Sequence, residues 1–255
     1  MASASREMVR VSLRVLGESI AVETPRPKGE VRLDEVLPFL RALEDRVVEV
    51  TVRQSEASGN KVSCCNGCAA CCKAQPVPVT PPEALALLRL VESLPGARRK
   101  TIEERFADRV SRLRCAGLTE HFLQRKQSLT NDEARAIAKR YFGLGLVCPF
   151  LENDSCSIYA DRPFVCRQYL VTSPAELCLN PFQNAVKPLP MPIAAAGATL
   201  RVAEQILGAP QYTVPLVLAL DFACKARQEL EQTFPAAGLY EKWVRALAQP
   251  SSSED

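Results

Sequence analysis

Residues 63–73 have the sequence SCCNGCAACCK, and the rest of the chain is best interpreted outward from this stretch. Cys65, Cys68, Cys71 and Cys72 follow the pattern C-x2-C-x2-C-C, and Cys64 adds one more cysteine in front of it. Two cysteines separated by two residues can reach one metal ion without straining the backbone between them. This density of thiols indicates a zinc or iron–sulfur site. The alternative is a set of small buried hydrophobes or a redox pair.

A second, looser group of cysteines consists of Cys148, Cys156, Cys166 and Cys178. Cys148 precedes a proline, a pairing that also occurs in bacterial ferredoxin sequences and gives a small preference for iron–sulfur. The stretch between the two groups is predicted to be helical, so a chain that brings the groups together would use the metal as its clamp. Eight thiols are enough for two metal centres, or for one centre with the remaining thiols beside it.

The composition is that of an ordinary globular protein, with 255 residues, 47% apolar and 24% charged. A formal net charge of +3 is too small to favour nucleic acid as a partner. The N-terminus does not resemble a secretory signal, and no apolar run reaches membrane-spanning length, so a cytoplasmic protein without membrane contact is expected. In a reducing compartment the 11 cysteines are expected to be thiolate ligands rather than disulfides.

Hydrophobic periodicity predicts a mainly α protein: an irregular, metal-clamped cysteine domain with an N-terminal β-hairpin and flanking helices. Alternating apolar and polar residues predict the hairpin over residues 8–24. Asp34 is the expected N-cap of a helix that reaches Gln54, and a short helix beginning near Asp161 is expected to carry Cys166. Further helices are predicted over residues 81–94, 97–126 with a break near Gly117, 131–142, 193–207, 214–233 and 238–248.

The expected domain organisation has four parts. Residues 1–60 contain the hairpin and the first helix, and residues 61–180 form the cysteine-cluster metal-binding domain. Residues 181–248 supply C-terminal helices that pack on it, and residues 249–255 form a disordered tail.

Several cations lie close to the cysteines in sequence: Arg162, Arg167, Lys61 and Lys73. Four thiolates on one divalent ion leave a negative site, and nearby cations would offset its charge and tune it. The alternative for each of them is an ordinary solvated surface cation.

The remaining candidates for chemistry are isolated. Cys115 and Cys224 each stand alone in a helical pattern and are expected in the core. His121 is the only histidine, which leaves little support for a serine–histidine hydrolase or a multi-histidine metal site. We expect it at the surface or partly buried. No dinucleotide fingerprint or P-loop motif is found.

The cysteine motifs resemble those of the YkgJ-type cysteine cluster family, a zinc- or iron-chelating CxxCxxCC domain with eight characteristic cysteines. The resemblance covers residues 63–178 and rests on four segments in order: C-x2-C-x2-C-C at 65–72, CPFL at 148–151, C-x-I-Y at 156–159 and RP-x2-CR at 162–167. It implies a bacterial protein. It also implies metal ligation by Cys65, Cys68, Cys71, Cys72, Cys148, Cys156 and Cys166, with Cys178 as the eighth ligand and Cys64 as an extra thiol.

The leading functional hypothesis is a protein that holds an iron–sulfur cluster or Zn²⁺ through these cysteines. One alternative is a metal- or cluster-dependent protein-modifying enzyme, because some relatives join this domain to protein-lysine methylation. A pocket beside the cysteines would favour it. The chain shows no glycine motif for a methyl donor. Another alternative is a structural zinc module that binds a partner protein, which a closed four-thiolate shell would favour.

Overall fold

The computed structural model describes residues 8–25, 28–123, 130–208 and 211–248. The protein is mainly α, as predicted. Its α-helices within the described residues are α1 (Leu37–Ala57), α2 (Ala70–Ala74), α3 (Pro81–Glu92), α4 (Gly96–Cys115), α5 (Thr119–Leu123), α6 (Asn131–Gly143), α7 (Phe164–Gln168), α8 (Ala195–Leu207), α9 (Ala219–Lys225), α10 (Arg227–Leu230) and α11 (Ala236–Ala248).

The strands are short and form antiparallel pairs. They are β1 (Met8–Val15) with β2 (Glu18–Pro25), β3 (Glu30–Arg32) with β8 (Thr233–Pro235), β4 (Pro78–Val79) with β7 (Val214–Pro215), and β5 (Leu151–Glu152) with β6 (Ser155–Cys156).

The predicted N-terminal hairpin is confirmed. Leu16 and Gly17 connect its strands with φ angles of 49° and 86°, the left-handed conformation that a type I′ two-residue turn requires at both positions. Val11, Val15 and Ile20 lie on its buried face, as the alternating pattern indicates.

The first helix begins later than the sequence suggests. Asp34 is not its N-cap: it lies in a 3₁₀ turn over Leu33–Val36, where the Arg32 guanidinium donates to its carboxylate at 2.9 Å. Pro38 occupies the first turn of α1, where its missing N–H costs no helical hydrogen bond. The proposed cap was wrong because a side-chain ion pair satisfied the aspartate in place of a helix N–H.

The helices pack into separate apolar clusters that meet around the cysteine segments. One cluster joins the hairpin and α1 to α8 and α11, with Trp243 and Phe164 fully buried in it. Another joins α3, α4 and α9 to residues 150–158. The helix predicted over 214–233 is instead divided into a 3₁₀ turn at Leu216–Leu218 followed by α9 and α10. The four-part domain division stays a prediction, and its tail at 249–255 lies outside the described residues.

Within the described part of the chain, no helix is both long and apolar enough to cross a membrane.

Helix α1 carries a buried carboxyl group that has no hydrogen-bond partner among the described residues. Glu44 is 3% exposed, and neither of its oxygens finds a donor there. Burial, and then the negative charge of Glu83, raises the pKa of Glu44 to about 9. Asp45 acts in the same direction, and Arg167 and Arg162 oppose it. Glu44 is therefore protonated at neutral pH.

We expect Glu44→Gln to flatten the pH dependence of stability. Because the folded pKa is raised, the folded protein keeps a proton that the unfolded chain releases, so stability falls as pH rises from the unfolded value toward about 9. The loss is up to about 1.4 kcal/mol per pH unit. Denaturant unfolding between pH 5 and pH 9 measures it, with Glu49→Gln on the exposed side of α1 as the control. Parallel curves for the wild type and Glu44→Gln would contradict this account.

Candidate metal centre

The two cysteine groups meet around one cavity of about 240 Å³. Seven of the eight predicted ligands line it: Cys65, Cys68, Cys71, Cys72, Cys148, Cys156 and Cys166. Apolar side chains such as Phe150, Ile158 and Leu216 complete much of its wall. Exposed Cys65 and Tyr159 also line it, so the cavity is reached from solvent.

The first group is folded as a tight turn followed by one short helix. Gly67 has φ 86°, a left-handed conformation that glycine adopts without strain, and Cys68 N–H donates to Cys65 O at 3.0 Å. Helical backbone begins only at Ala70 in α2, so Cys71 and Cys72 are helical and Cys65 is not. Cys65, Cys68 and Cys72 therefore do not share one face of a helix.

The second group reaches the cavity through a small hairpin. Strands β5 and β6 pair Leu151 with Cys156, and Asn153 and Asp154 adopt φ angles of 48° and 56° in the turn between them. At the base of this hairpin, Cys148 N–H donates to Cys72 O at 2.7 Å. This bond joins the two cysteine groups directly.

Three arginines on α4 hold the backbone around Cys148. Arg105 donates to Pro149 O and Arg109 to Val147 O, each at 3.1 Å, and Arg112 donates to Leu144 O. Their spacing of four and then three residues places them on one helix face. Sequence reasoning missed this role, because charged residues at helical spacing usually indicate a solvated face.

Buried polar contacts fix the helix that carries Cys166. Glu83 Oε1 accepts a hydrogen bond from Phe164 N–H at the start of α7 at 2.7 Å, and its other oxygen accepts from Thr80 N–H and the Thr80 hydroxyl. Arg167, next to Cys166, donates to both carboxylate oxygens of Asp45 on α1, at 2.7 and 2.9 Å. Glu83 was not a candidate from sequence, where its position is typical of an ordinary helix-start carboxylate.

Cys178 does not line the cavity. It is 3% exposed and packs with Ala70 and Val171, beside Cys64 and Cys68. The extra thiol Cys64 packs beside Cys178 and Cys68 and does not itself line the cavity. The assignment of the eight cysteines as ligands, Cys178 included, stays a prediction.

Burial dominates the electrostatics of the cavity thiols. It raises the pKa of Cys148 to about 12 and raises the pKa values of Cys156 and Cys166 as well. The Cys71–Cys72 pair differs, because the interaction of the two neighbouring thiols lowers the pKa of Cys71 and raises that of Cys72. Metal binding to thiols held in the neutral state must release protons.

The nearby cations have different surroundings. Arg162 lines the cavity, and Arg167 is buried behind it. Lys73 pairs with Asp154 at 2.8 Å, and Lys61 is an exposed residue away from the cavity lining. Of the four cations, Lys61 therefore matches the alternative of an ordinary solvated surface cation.

The isolated residues lie elsewhere. Cys115 and Cys224 are both exposed, so their expected core positions were wrong: each falls on the polar face of its helix. His121 is exposed on α5, as expected. Among the described residues, no three histidine, cysteine, aspartate or glutamate side chains converge closely enough to hold one metal ion. The cavity thiols therefore line the wall of the cavity and do not converge on the position of a single ion.

The donor set fits a thiolate-ligated metal, since the described lining of the cavity brings together seven thiols, no imidazole and one carboxylate, that of Asp154. The fold thus contains a cysteine-rich metal-chelating domain. Residues 64–184 match the model of the CxxCxxCC family, described as "Putative zinc- or iron-chelating domain". The predicted cofactor, an iron–sulfur cluster or Zn²⁺, agrees with that description. Searches of curated proteins and of solved structures gave no match.

We expect Arg109→Ala to weaken metal retention by roughly 10- to 100-fold, the usual effect of losing a residue that orients a metal ligand. The substitution removes the bond to Val147 O, one residue before Cys148. Metal loss to a chelator, followed by elemental analysis, gives the measurement. Arg99→Ala is the matched control, because Arg99 on the same helix bonds Glu103. Equal retention in both variants would show that Arg109 does not support the site.

Proposed function

We propose that the cavity holds an iron–sulfur cluster through thiolates from both cysteine groups, in a cytoplasmic protein that uses the cluster as a clamp. The observation that carries the proposal is the lining of a cavity of about 240 Å³ by seven thiols. A zinc ion, with four Zn–S bonds of about 2.3 Å, fills the space among its ligands, whereas a cluster of several irons and sulfides needs a cavity. A cluster of the four-iron type needs four of the seven thiols.

The chain supplies what such a group requires. Cys72, Cys148, Cys156 and Cys166 come from three segments, namely α2, the β5–β6 hairpin with the residues at its base, and α7, and each is fixed by a hydrogen bond or ion pair described above. The arginines beside them favour the anionic state of a thiolate-bound cluster. When bound, the cluster would supply electron transfer or a Lewis-acidic iron.

A second candidate function is a cluster-dependent modification enzyme. It is favoured by the polar groups that line the cavity besides the thiols, namely Arg162, Gln75 and Tyr159, together with access from solvent. A structural module for a protein partner has less support, because a closed site would leave no cavity of this size. A protein partner is compatible with either function, and neither requires nucleic acid or a membrane.

The decisive measurement is the content of iron, acid-labile sulfide and zinc in protein purified without oxygen. Iron and sulfide in equal amounts, with visible absorption that bleaches on reduction, support the proposal. Zinc without sulfide in a colourless protein would overturn it and leave a zinc site.

We expect Cys68→Ser to lose most of its iron and sulfide and to unfold at a clearly lower temperature, because bound metal contributes directly to folding free energy. Cys115→Ser and Cys224→Ser are matched controls, since both thiols are exposed and lie outside the cavity. Metal analysis and thermal unfolding of all three variants test the clamp. Unchanged metal content and stability in Cys68→Ser would contradict it.

A further inference from the structure

Arg162 differs from the other cations around the cavity in forming no ion pair with a carboxylate of the described residues, although its charge acts on the buried Glu44. Arg41 pairs with Asp161, Arg167 with Asp45, and Lys73 with Asp154. The Nε of Arg162 is buried without a hydrogen-bond acceptor. The same is true of the Arg41 Nε, so it is the position of the Arg162 guanidinium on the cavity lining that makes it available to an acceptor entering from outside the chain.

The guanidinium is held in a fixed orientation at the solvent side of the cavity. Its central carbon lies 4.0 Å from the centroid of the Tyr159 ring, and Tyr159 is 47% exposed. Stacking of this kind restrains the plane of the guanidinium and leaves N–H groups at its edge free to bind an acceptor. Both residues line the cavity.

The formal charges on the cavity lining indicate which kind of hydrogen-bond acceptor would suit Arg162. Arg162 is the only lysine, arginine or histidine among the described residues that line the cavity, so this lining offers a single formal positive charge. The carboxylate of Asp154 on the same lining already pairs with Lys73. A planar, singly charged carboxylate matches the guanidinium fork in both geometry and charge, whereas phosphate sites usually combine several donors or charges.

The alternative is that the positive charge of Arg162 acts on the cysteine ligands of the metal centre and not on a ligand from solvent. Burial raises the pKa of Cys156, and the positive charges of Arg162 and Arg167 both oppose that effect, as Arg109 opposes it at Cys148. Arg109 and Arg167, however, are already held by the carbonyl of Val147 and the carboxylate of Asp45. Arg162 lies instead where the cavity meets the exposed ring of Tyr159, so its N–H groups can serve a ligand that enters from solvent.

We propose that Arg162 and Tyr159 bind the carboxylate of a small organic anion at the mouth of the cavity, beside the metal centre. The proposal rests on the proposed function only in placing an iron–sulfur cluster beside the bound anion. The binding site itself is formed by the chain. A flat apolar group next to the carboxylate would pack against Tyr159 and against cavity side chains such as Ile158.

The test is calorimetric titration of the metal-loaded protein, without oxygen and at constant ionic strength, with benzoate, neutral benzamide and inorganic phosphate. We expect benzoate to bind and benzamide to bind at least roughly tenfold more weakly, since a charge-assisted hydrogen bond contributes about 1.5–3 kcal/mol and about 1.4 kcal/mol is tenfold. Arg162→Gln should lose benzoate binding by a similar factor, and Arg162→Lys should retain part of it. Arg99→Gln, on the exposed surface of α4, is the matched control.

Three outcomes would overturn the proposal. Benzoate does not bind to the wild-type protein; phosphate binds as tightly as benzoate; or benzoate binds equally well to Arg162→Gln, in which case a shifted reduction potential of the cluster in that variant would assign the guanidinium to the metal centre. Iron and sulfide are measured on every sample. If they are absent while benzoate binding still depends on Arg162, the proposed cluster fails and the carboxylate site stands.

Discussion

The hydrogen bond from Cys148 N–H to Cys72 O is the contact on which the architecture of the site depends. It joins two chain segments that are separated by helices α3 to α6. Closing so long a loop costs conformational entropy that one hydrogen bond cannot offset. The closure is supported by the apolar cluster of α3, α4 and α9, against which Cys148 and Cys156 pack, and the proposed metal centre would add to it.

Polar contacts of an unusual kind surround this junction. The α4 arginines bind backbone carbonyls at 144–149, and Glu83 binds a backbone N–H of α7. Each contact satisfies a peptide group that has no hydrogen bond within a helix or sheet, either in irregular backbone or at a helix start. The segment 144–167, which carries Cys148, Cys156 and Cys166, has little regular structure. Side chains from α3 and α4 supply hydrogen bonds in place of the regular backbone hydrogen bonds that it lacks.

The elements with a local signal could be predicted from the sequence. The hairpin, the break at Gly117, and the helices α3 and α6 follow from alternation, glycine, proline and capping residues. The cysteines of both groups were identifiable because of their spacing. What could not be predicted depended on tertiary contacts: Asp34 gave up a cap position for an ion pair with Arg32, and exposed Cys115 and Cys224 had no distinguishing pattern. The roles of the arginines could not be predicted for the same reason. A sequence shows where the cations are, but the role of each depends on the hydrogen-bond acceptor that it meets in the folded chain.

An acceptor on the backbone, such as Pro149 O, makes an arginine part of the scaffold, and a carboxylate such as Asp45 makes it a link between helices. Arg162 fits neither description, because its guanidinium stacks on an exposed ring and has no acceptor among the described residues. The other described cations beside the cavity have partners, so that difference is a property of the site. The fold therefore fixes the cysteine segments through ion pairs but leaves the Arg162 guanidinium without one at the cavity mouth. A ligand, and not the chain, can supply its hydrogen-bond acceptor there.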